Sequence, residues 1–393
     1  MIQTAAHTLP RTGSERWWSQ CLATGAAGTA LLHIVYARVG TGAWETAHRW
    51  AAAMTSHPIA AHPDVCGLFR GAPAVAFALH TADHPGYRAA LNTLDASIND
   101  LTRERLDRAH ARIDGGLLPR LREFDLIRGL TGLGTYLLHR HNGGQLLEDV
   151  LTYLIRLTEP ITMNGEVLPG WWSMDTPSGT PSPSRPGGHG NLGLAHGISG
   201  PLALLAAATR RGVTVTGQAD AIGRICAWLD TWRCGADTRA WWPGTLGLAE
   251  HRTGTVRLSG PQRPSWCYGT PGLARAQQLA ALATSDLVRQ HDAEQALLGC
   301  VSDEAQLSQL RDNSLCHGRA GLVHTTRRVA ADSLDDELTV ALPTLDARLK
   351  HQLSCHPAPS QDGLLEGPEG VRLTQHSAAR RTPTWDACLL LNG

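Results

Sequence analysis

An all-α fold, closed into an α/α toroid of about seven helical hairpins, is predicted here on three observations. A Gly-x-x-Gly-like turn followed by an apolar, alanine-rich helix returns seven times. Polar-faced helical stretches fill the intervals between turns. Reactive side chains gather beside consecutive turns instead of being scattered along the chain.

The turns are Gly25-Ala26-Ala27-Gly28, Gly71-Ala72-Pro73-Ala74, Gly129-Leu130-Thr131-Gly132, Gly197-Ile198-Ser199-Gly200, Gly269-Thr270-Pro271-Gly272, Gly318-Arg319-Ala320-Gly321 and Gly367-Pro368-Glu369-Gly370. Their first glycines are separated by 46, 58, 68, 72, 49 and 49 residues, a period that suits a helix pair with its loops. Glycine and alanine let inner helices approach closely. The outer partners are expected over Trp44 to Met54, Tyr87 to Ile113, Gln145 to Leu157, Ala219 to Trp232, Leu287 to Leu298 and Ser333 to Leu349. Hairpins that cannot bury their faces alone either stack as an open solenoid or satisfy both ends by closing, and closure gives a ring of about fourteen helices in one domain spanning 1–393. Residues 159–196 are rich in proline, serine and glycine and read as a long surface loop leading into His196, either a lid or substrate wall or a disordered excursion. Arg380 to Asp386 interrupts what should be the last inner helix. Trp171-Trp172 and Trp241-Trp242 are read as packing between repeats.

Composition narrows the function. Lysine plus arginine balance aspartate plus glutamate at 35 each, so no net field favours nucleic acid or an anionic membrane. No apolar run approaches the ~20 residues of a membrane span, and Met1 to Arg16 lacks the apolar core of a signal peptide. Nine cysteines in a long chain are too sparse and too odd in number for a disulfide framework, which points to a reducing cytoplasm.

All turns lie at the same end of their inner helices, so the side chains just before them converge at one mouth of the ring. In the third to sixth repeats these are Asp125, His196, Cys267 with Tyr268, and Cys316 with His317, whereas the first two offer Thr24 and Arg70. Two thiols and an imidazole are the protein complement of one Zn²⁺ ion that keeps its fourth position open for water or a thiolate. Helix N-termini beside them favour thiolate. A closed structural zinc is the other reading of the same three residues. Cys355-His356 repeats the dipeptide of Cys316-His317 but is followed by Pro357 instead of a glycine turn, so it is left out as a ligand. Cys21, Cys66, Cys226, Cys234, Cys300 and Cys388 are read as small core residues. His196 and Asp125 could equally be a cap or core pair, and Arg263 a solvated loop charge.

Ala195-His196-Gly197-Ile198-Ser199-Gly200, Trp266-Cys267-Tyr268-Gly269 and Cys316-His317-Gly318 resemble the motifs of the lanthionine synthetase C-like proteins, the cyclases of lantibiotic biosynthesis. Phe124 to Gly132 and Leu364 to Gly367 are similar to family motifs too. The resemblance implies a double-layered α toroid with a catalytic Zn²⁺ held by Cys267, Cys316 and His317, and other active-site positions at Asp125, His196, Arg263 and Tyr268. It implies a stand-alone cyclase acting on a dehydrated precursor peptide with its leader, the dehydration being done by a separate dehydratase. Cysteine thiols of that peptide would add to dehydroalanine or dehydrobutyrine, giving thioether rings. The rival readings are a zinc-dependent peptide-thiol transferase of prenyltransferase type, for which three phenylalanines and five tyrosines supply a poor isoprenoid pocket, and a non-enzymatic zinc-stapled peptide-binding scaffold.

Overall fold

In the computed structural model the described residues are 17–181, 185–355, 361–379 and 384–392. The reading of Met1 to Arg16 and His356 therefore lies outside them. Thirteen helices of at least eleven residues are present among the described residues. They are α1 (Ala26–Arg38), α2 (Trp44–Met54), α3 (Ala72–Ala82), α4 (Arg88–Asp114), α5 (Leu130–His141), α6 (Gln145–Leu157), α7 (Ser199–Arg210), α8 (Gln218–Thr231), α9 (Thr270–Thr284), α10 (Leu287–Ser302), α11 (Arg319–Ala330), α12 (Glu337–Cys355) and α13 (Pro368–Ala379). Each glycine turn opens an inner helix: α1, α3, α5, α7, α9, α11 and α13.

The inner helices are buried on nearly every side, as their Ala-Leu-rich sequences require, and each packs on the next until α13 meets α1. The outer helices bury one stripe. In α6, for example, Leu147, Val150, Leu151, Leu154 and Leu157 face inward at helical spacing. The fold is thus an α/α toroid, and the open solenoid is excluded by direct closure. Leu364 N–H and Leu365 N–H donate to the carbonyls of Leu22 and Ala23 at 3.0 and 2.9 Å, and the Thr29 hydroxyl donates to Glu369 at 3.2 Å.

Closure belongs to a larger pattern among the segments just before the turns. Leu22 N–H reaches Phe69 O, Leu126 N–H reaches Ala195 O, Leu194 N–H reaches Cys267 O, Cys267 N–H reaches Cys316 O, and Cys316 N–H reaches Leu365 O, at 3.0 to 3.3 Å. Between the second and third turns the described residues have no such bond. There the half-buried Arg105 of α4 donates to the carbonyls of Arg128, Cys66 (2.7 Å) and Pro63 (2.5 Å). The paired glycines follow from this crowding. A Cβ at Gly272 would stand 2.1 Å from Trp266 O, and one at Gly321 would stand 2.1 Å from Leu315 O. Neither position tolerates a side chain while the turn keeps its shape.

Three expectations need correction. Among the described residues the ring has the six outer helices expected but thirteen long helices, not about fourteen, because α13 has no outer partner there. Instead the chain turns inward: Trp385 to Leu391 is buried among the inner helices, a short 3₁₀ turn (Trp385–Leu389) that fills the ring's centre. Asp386 pairs with His324 and Arg328 of α11, the buried Arg275 of α9 donates to Leu391 O at 2.9 Å, and Trp385 Nε1 donates to Ser377 of α13 at 3.1 Å. Of the interrupting sequence, Arg380 to Pro383 lies outside the described residues, and its end leads into this central plug. Secondly, the sixth outer helix starts at Glu337, later than expected, because Asp335 Oδ1 accepts from Glu337 N–H at its start, and it runs on to Cys355.

Thirdly, 159–196 is only in part a surface loop. It carries an antiparallel pair, β1 (Ile161–Met163) with β2 (Glu166–Leu168), and β3 (His189–Asn191), which pairs with β4 (Thr245–Gly247). Trp171 and Trp172 are buried: Trp171 meets Trp228 edge-on at 5.1 Å, and Trp172 Nε1 bonds Gly187 O at 2.8 Å. These contacts pin the segment to the ring just before His196. Among the described residues no helix is long and apolar enough to cross a membrane.

Candidate metal centre at the mouth of the ring

The residue directly before each turn's first glycine is Thr24, Arg70, Arg128, His196, Tyr268, His317 or Glu366 in chain order. The backbone bonds between turns hold these positions in register around one mouth. Cys267 and Cys316 occupy the position one residue earlier. Gly269, with φ at 125°, takes a conformation closed to most side chains, so its glycine is needed to turn the chain from Cys267 into α9.

The structure brings Cys267, Cys316 and His317 together, with one donor atom from each lying within 4.8 Å of the others. Donors on a zinc ion at ~2.0–2.3 Å stand about 3.8 Å or less apart, so the cluster needs only a small contraction to hold one. The electrostatics point the same way. A hydrogen bond with the Cys316 thiol, helped by His317, holds the Cys267 thiol well below its ordinary range against the effect of burial. The same bond, with burial and the nearby Glu366, pushes Cys316 up. The bond to Cys267 raises His317. Thiolate character thus sits on Cys267, at a place a cation would occupy. Two carboxylates complete the surroundings, with Asp312 and Glu366 oxygens at 3.5 and 3.6 Å from His317 Nε2. Cys316 and His317 are half-buried, so one side of the cluster opens to the mouth.

On the neighbouring turn, His196 Nδ1 lies 2.7 Å from the buried Asp125 Oδ2. A carboxylate accepts there, so Nδ1 carries a hydrogen, and Nε2 has no protein partner among the described residues. Asp125 also caps α5, its Oδ1 accepting from Arg128 and Gly129 N–H at 2.7 and 2.8 Å. The cap and the His partner are one residue. The Tyr268 ring stacks beside His196, with centroids 6.3 Å apart and planes at 28°, and its hydroxyl accepts from Asn191 Nδ2 at 2.9 Å. Burial raises the Tyr268 phenol.

Arg263 has no hydrogen-bond or ion-pair partner for its side chain among the described residues. Its carbonyl packs beneath Gly269, 2.6 Å from where a Cβ would stand. Cys355 is exposed at the end of α12, away from the cluster. Sequence reasoning did not single out Asn191, Asp312 or Glu366. Glu366 was within reach, since it occupies the pre-glycine position of the seventh turn, but Asn191 and Asp312 lie in segments whose path only folding reveals. A cavity of about 250 Å³ between α11 and α12, lined by Leu307, Leu322, Leu345 and Arg319 among others, does not include the cluster.

The model of the lanthionine synthetase C-like protein family matches residues 16–390. The chain is 25% identical over 261 residues to the nisin biosynthesis protein NisC of Lactococcus lactis subsp. lactis, a match covering 65% of this chain and 60% of that protein. Among solved structures it is similar to nisin cyclase, with a TM-score of 0.79 and 21% identity over 96% of this chain and 93% of that one.

Proposed function

Since the chain belongs to the lanthionine synthetase C-like family, we propose that it is a zinc-dependent lanthipeptide cyclase that adds peptide cysteine thiols to dehydroalanine or dehydrobutyrine. The observation that carries this reading is the meeting of two sites at one mouth. A half-open Cys267, Cys316 and His317 donor set lies beside an imidazole whose tautomer is held by a buried carboxylate. The relative's printed role in nisin biosynthesis and the printed name of the solved nisin cyclase support it.

Cys267, Cys316 and His317 would hold the Zn²⁺ ion, which supplies thiol activation at its open position. The addition conserves atoms. The thiol S–H bond and the π bond between the α- and β-carbons of the dehydro residue break, a C–S bond forms at the β-carbon, and the α-carbon gains a proton. His196 Nε2, without a protein partner among the described residues and on a ring held by Asp125, would move that proton. Arg263, an arginine unpaired among the described residues, would face the negative charge that develops on the acyl oxygen. Tyr268 stacks beside the imidazole and lines the same space. The substrate would be a dehydrated precursor peptide with its leader, supplied by a separate dehydratase, in the cytoplasm.

The test is to measure bound zinc and the loss of free thiol in a dehydrated peptide, with mass recorded before and after. Cyclisation removes a thiol at unchanged mass, prenyl transfer adds mass, and a scaffold changes neither. Cys316→Ala should lose zinc and turnover together, whereas His196→Ala should keep zinc and lose turnover. Full zinc with unchanged cyclisation in Cys316→Ala would overturn the ligand assignment.

A further inference from the structure

We propose that Asn191 is a positioning residue that sets the direction of the Tyr268 hydroxyl, so that Tyr268 donates its hydrogen to the acyl oxygen of the dehydro residue as the carbon–sulfur bond forms. This rests on the cyclase reading above.

Asn191 is fully buried at the end of β3. The orientation of its amide is settled by a backbone group, because the Gly193 N–H, 3.0 Å from Oδ1, can only donate. Nδ2 therefore faces Tyr268, and it too can only donate. The phenol oxygen accepts that bond at 2.9 Å, which sends the phenol's own hydrogen elsewhere. Among the described residues no acceptor takes it. The half-buried ring lies beside His196, so the free donor belongs to the mouth where a substrate carbonyl would sit.

The surrounding backbone makes this aim rigid. Asn191 pairs with Thr245 across the β3–β4 ladder, and its carbonyl accepts from Ile198 N–H at 2.9 Å. Gly197 fits only because it lacks a Cβ, which would stand 2.5 Å from both Asn191 O and Oδ1. His196, next to Gly197, and Tyr268 thus take their positions from the same asparagine. An uncharged donor at the mouth would suit an oxygen that becomes negative only as the reaction proceeds, since a donor fixed in advance needs no reorganisation.

The test uses purified enzyme and a dehydrated, cysteine-containing peptide, with Asn191→Ala, Asn191→Asp, Tyr268→Phe and the Asn191→Ala/Tyr268→Phe double variant. Bound zinc and melting temperature are recorded for each. Tyr268→Phe should lose about 10²-fold in kcat, in line with the loss of one oxyanion donor. Asn191→Ala should lose about tenfold in kcat with KM within about twofold, as expected for loss of transition-state stabilisation alone. The double variant should be no slower than Tyr268→Phe, because the asparagine acts through the phenol. Asn191→Asp keeps the shape and the Gly193 acceptor but offers the phenol an acceptor, so it should lose at least as much as Asn191→Ala. Losses that multiply in the double variant, a change carried in KM or in bound zinc, or wild-type kcat in both Asn191 variants would overturn the assignment. A wild-type protein that forms no thioether would refute the cyclase reading and this assignment with it. An active wild type with unaffected Asn191 variants would refute this assignment alone.

Discussion

Replacing Asp386 by alanine tests the central plug. Its carboxylate is fully buried and accepts from Arg328 Nε and Nη2 at 2.6 and 2.8 Å, from His324 Nε2 at 2.7 Å and from Asn392 Nδ2 at 2.7 Å. Burial alone would raise its pKa, but the bond to His324 and the Arg328 charge prevail and hold it well below the usual carboxylate range. Alanine removes the acceptor and leaves donors from three residues unpaired. Breaking a buried pair from one side costs about 3–5 kcal/mol, and the Arg328 side chain, 31% exposed, recovers some hydration, which favours about 3 kcal/mol. With about 2.1 cal/mol/K of unfolding entropy per residue, 393 residues give about 0.8 kcal/mol/K, so the melting temperature should fall by about 4 °C. The assay is a thermal scan at fixed rate, with wild type and Asp386→Ala side by side. Because the folded carboxylate is depressed, its contribution is present above the unfolded pKa near ~3.9 and is lost as pH falls through the folded value. The gap between the proteins should therefore hold from about pH 8 to 5 and narrow only below about pH 4. A shift smaller than about 1 °C at pH 7 would refute the reasoning, since the pair would then add nothing beyond its desolvation cost. Turnover should fall as well, because Leu389 O, at the end of the plug, accepts from the indole of Trp266 at 3.0 Å, directly before Cys267.

Asp125→Asn should keep the α5 cap, since an amide oxygen still accepts from Arg128 and Gly129, but it presents a donor or a neutral acceptor to His196; turnover should drop ~10²-fold or more at unchanged zinc and melting temperature, and an unaffected rate would remove Asp125 from the mechanism. Burial lowers His139 to about 3 and His189 to about 4, while unfolded imidazoles protonate near ~6.5. The unfolded state therefore binds more protons between those values, so stability in urea should decline as pH falls from about 6.5 to 4, and His139→Phe should flatten that slope. Arg105→Met removes the bridge between the second and third turns and leaves three carbonyls without their cation; unfolding in urea should show a loss of about 3 kcal/mol, and a midpoint unchanged from wild type would mean that the bridge is dispensable.

Much of the architecture was legible in order along the chain. The glycine turns marked every inner helix because their second glycine, present in all but the second turn where Ala74 stands, answers a local clash, as between Gly272 and Trp266 O. Outer helices were visible through apolar spacing, as in α6. Boundaries slipped where one side chain decides them, as Asp335 does at the start of α12. The buried end of residues 159–196 was hidden because proline, serine and glycine report a lack of helix, not a lack of packing. The plug was hidden for a similar reason: Trp385 to Leu391 has no helical period, and its partners Arg275, His324 and Arg328 lie on other repeats.

By itself the sequence determined the seven-fold repeat, the placing of thiols and imidazoles beside consecutive turns, and the difference between Cys316-His317 and Cys355-His356, because all of these depend on spacing within one repeat. The tertiary structure decided what depends on pairs of repeats. It showed that backbone bonds between turns put Cys267 against Cys316, that Asp125 reaches His196 from four residues before its glycine, and that Asn191 rather than a nearer residue holds Tyr268. Those partners lie 49, 71 and 77 positions apart, and at such separations only the packing of one repeat on the next chooses which side chains meet.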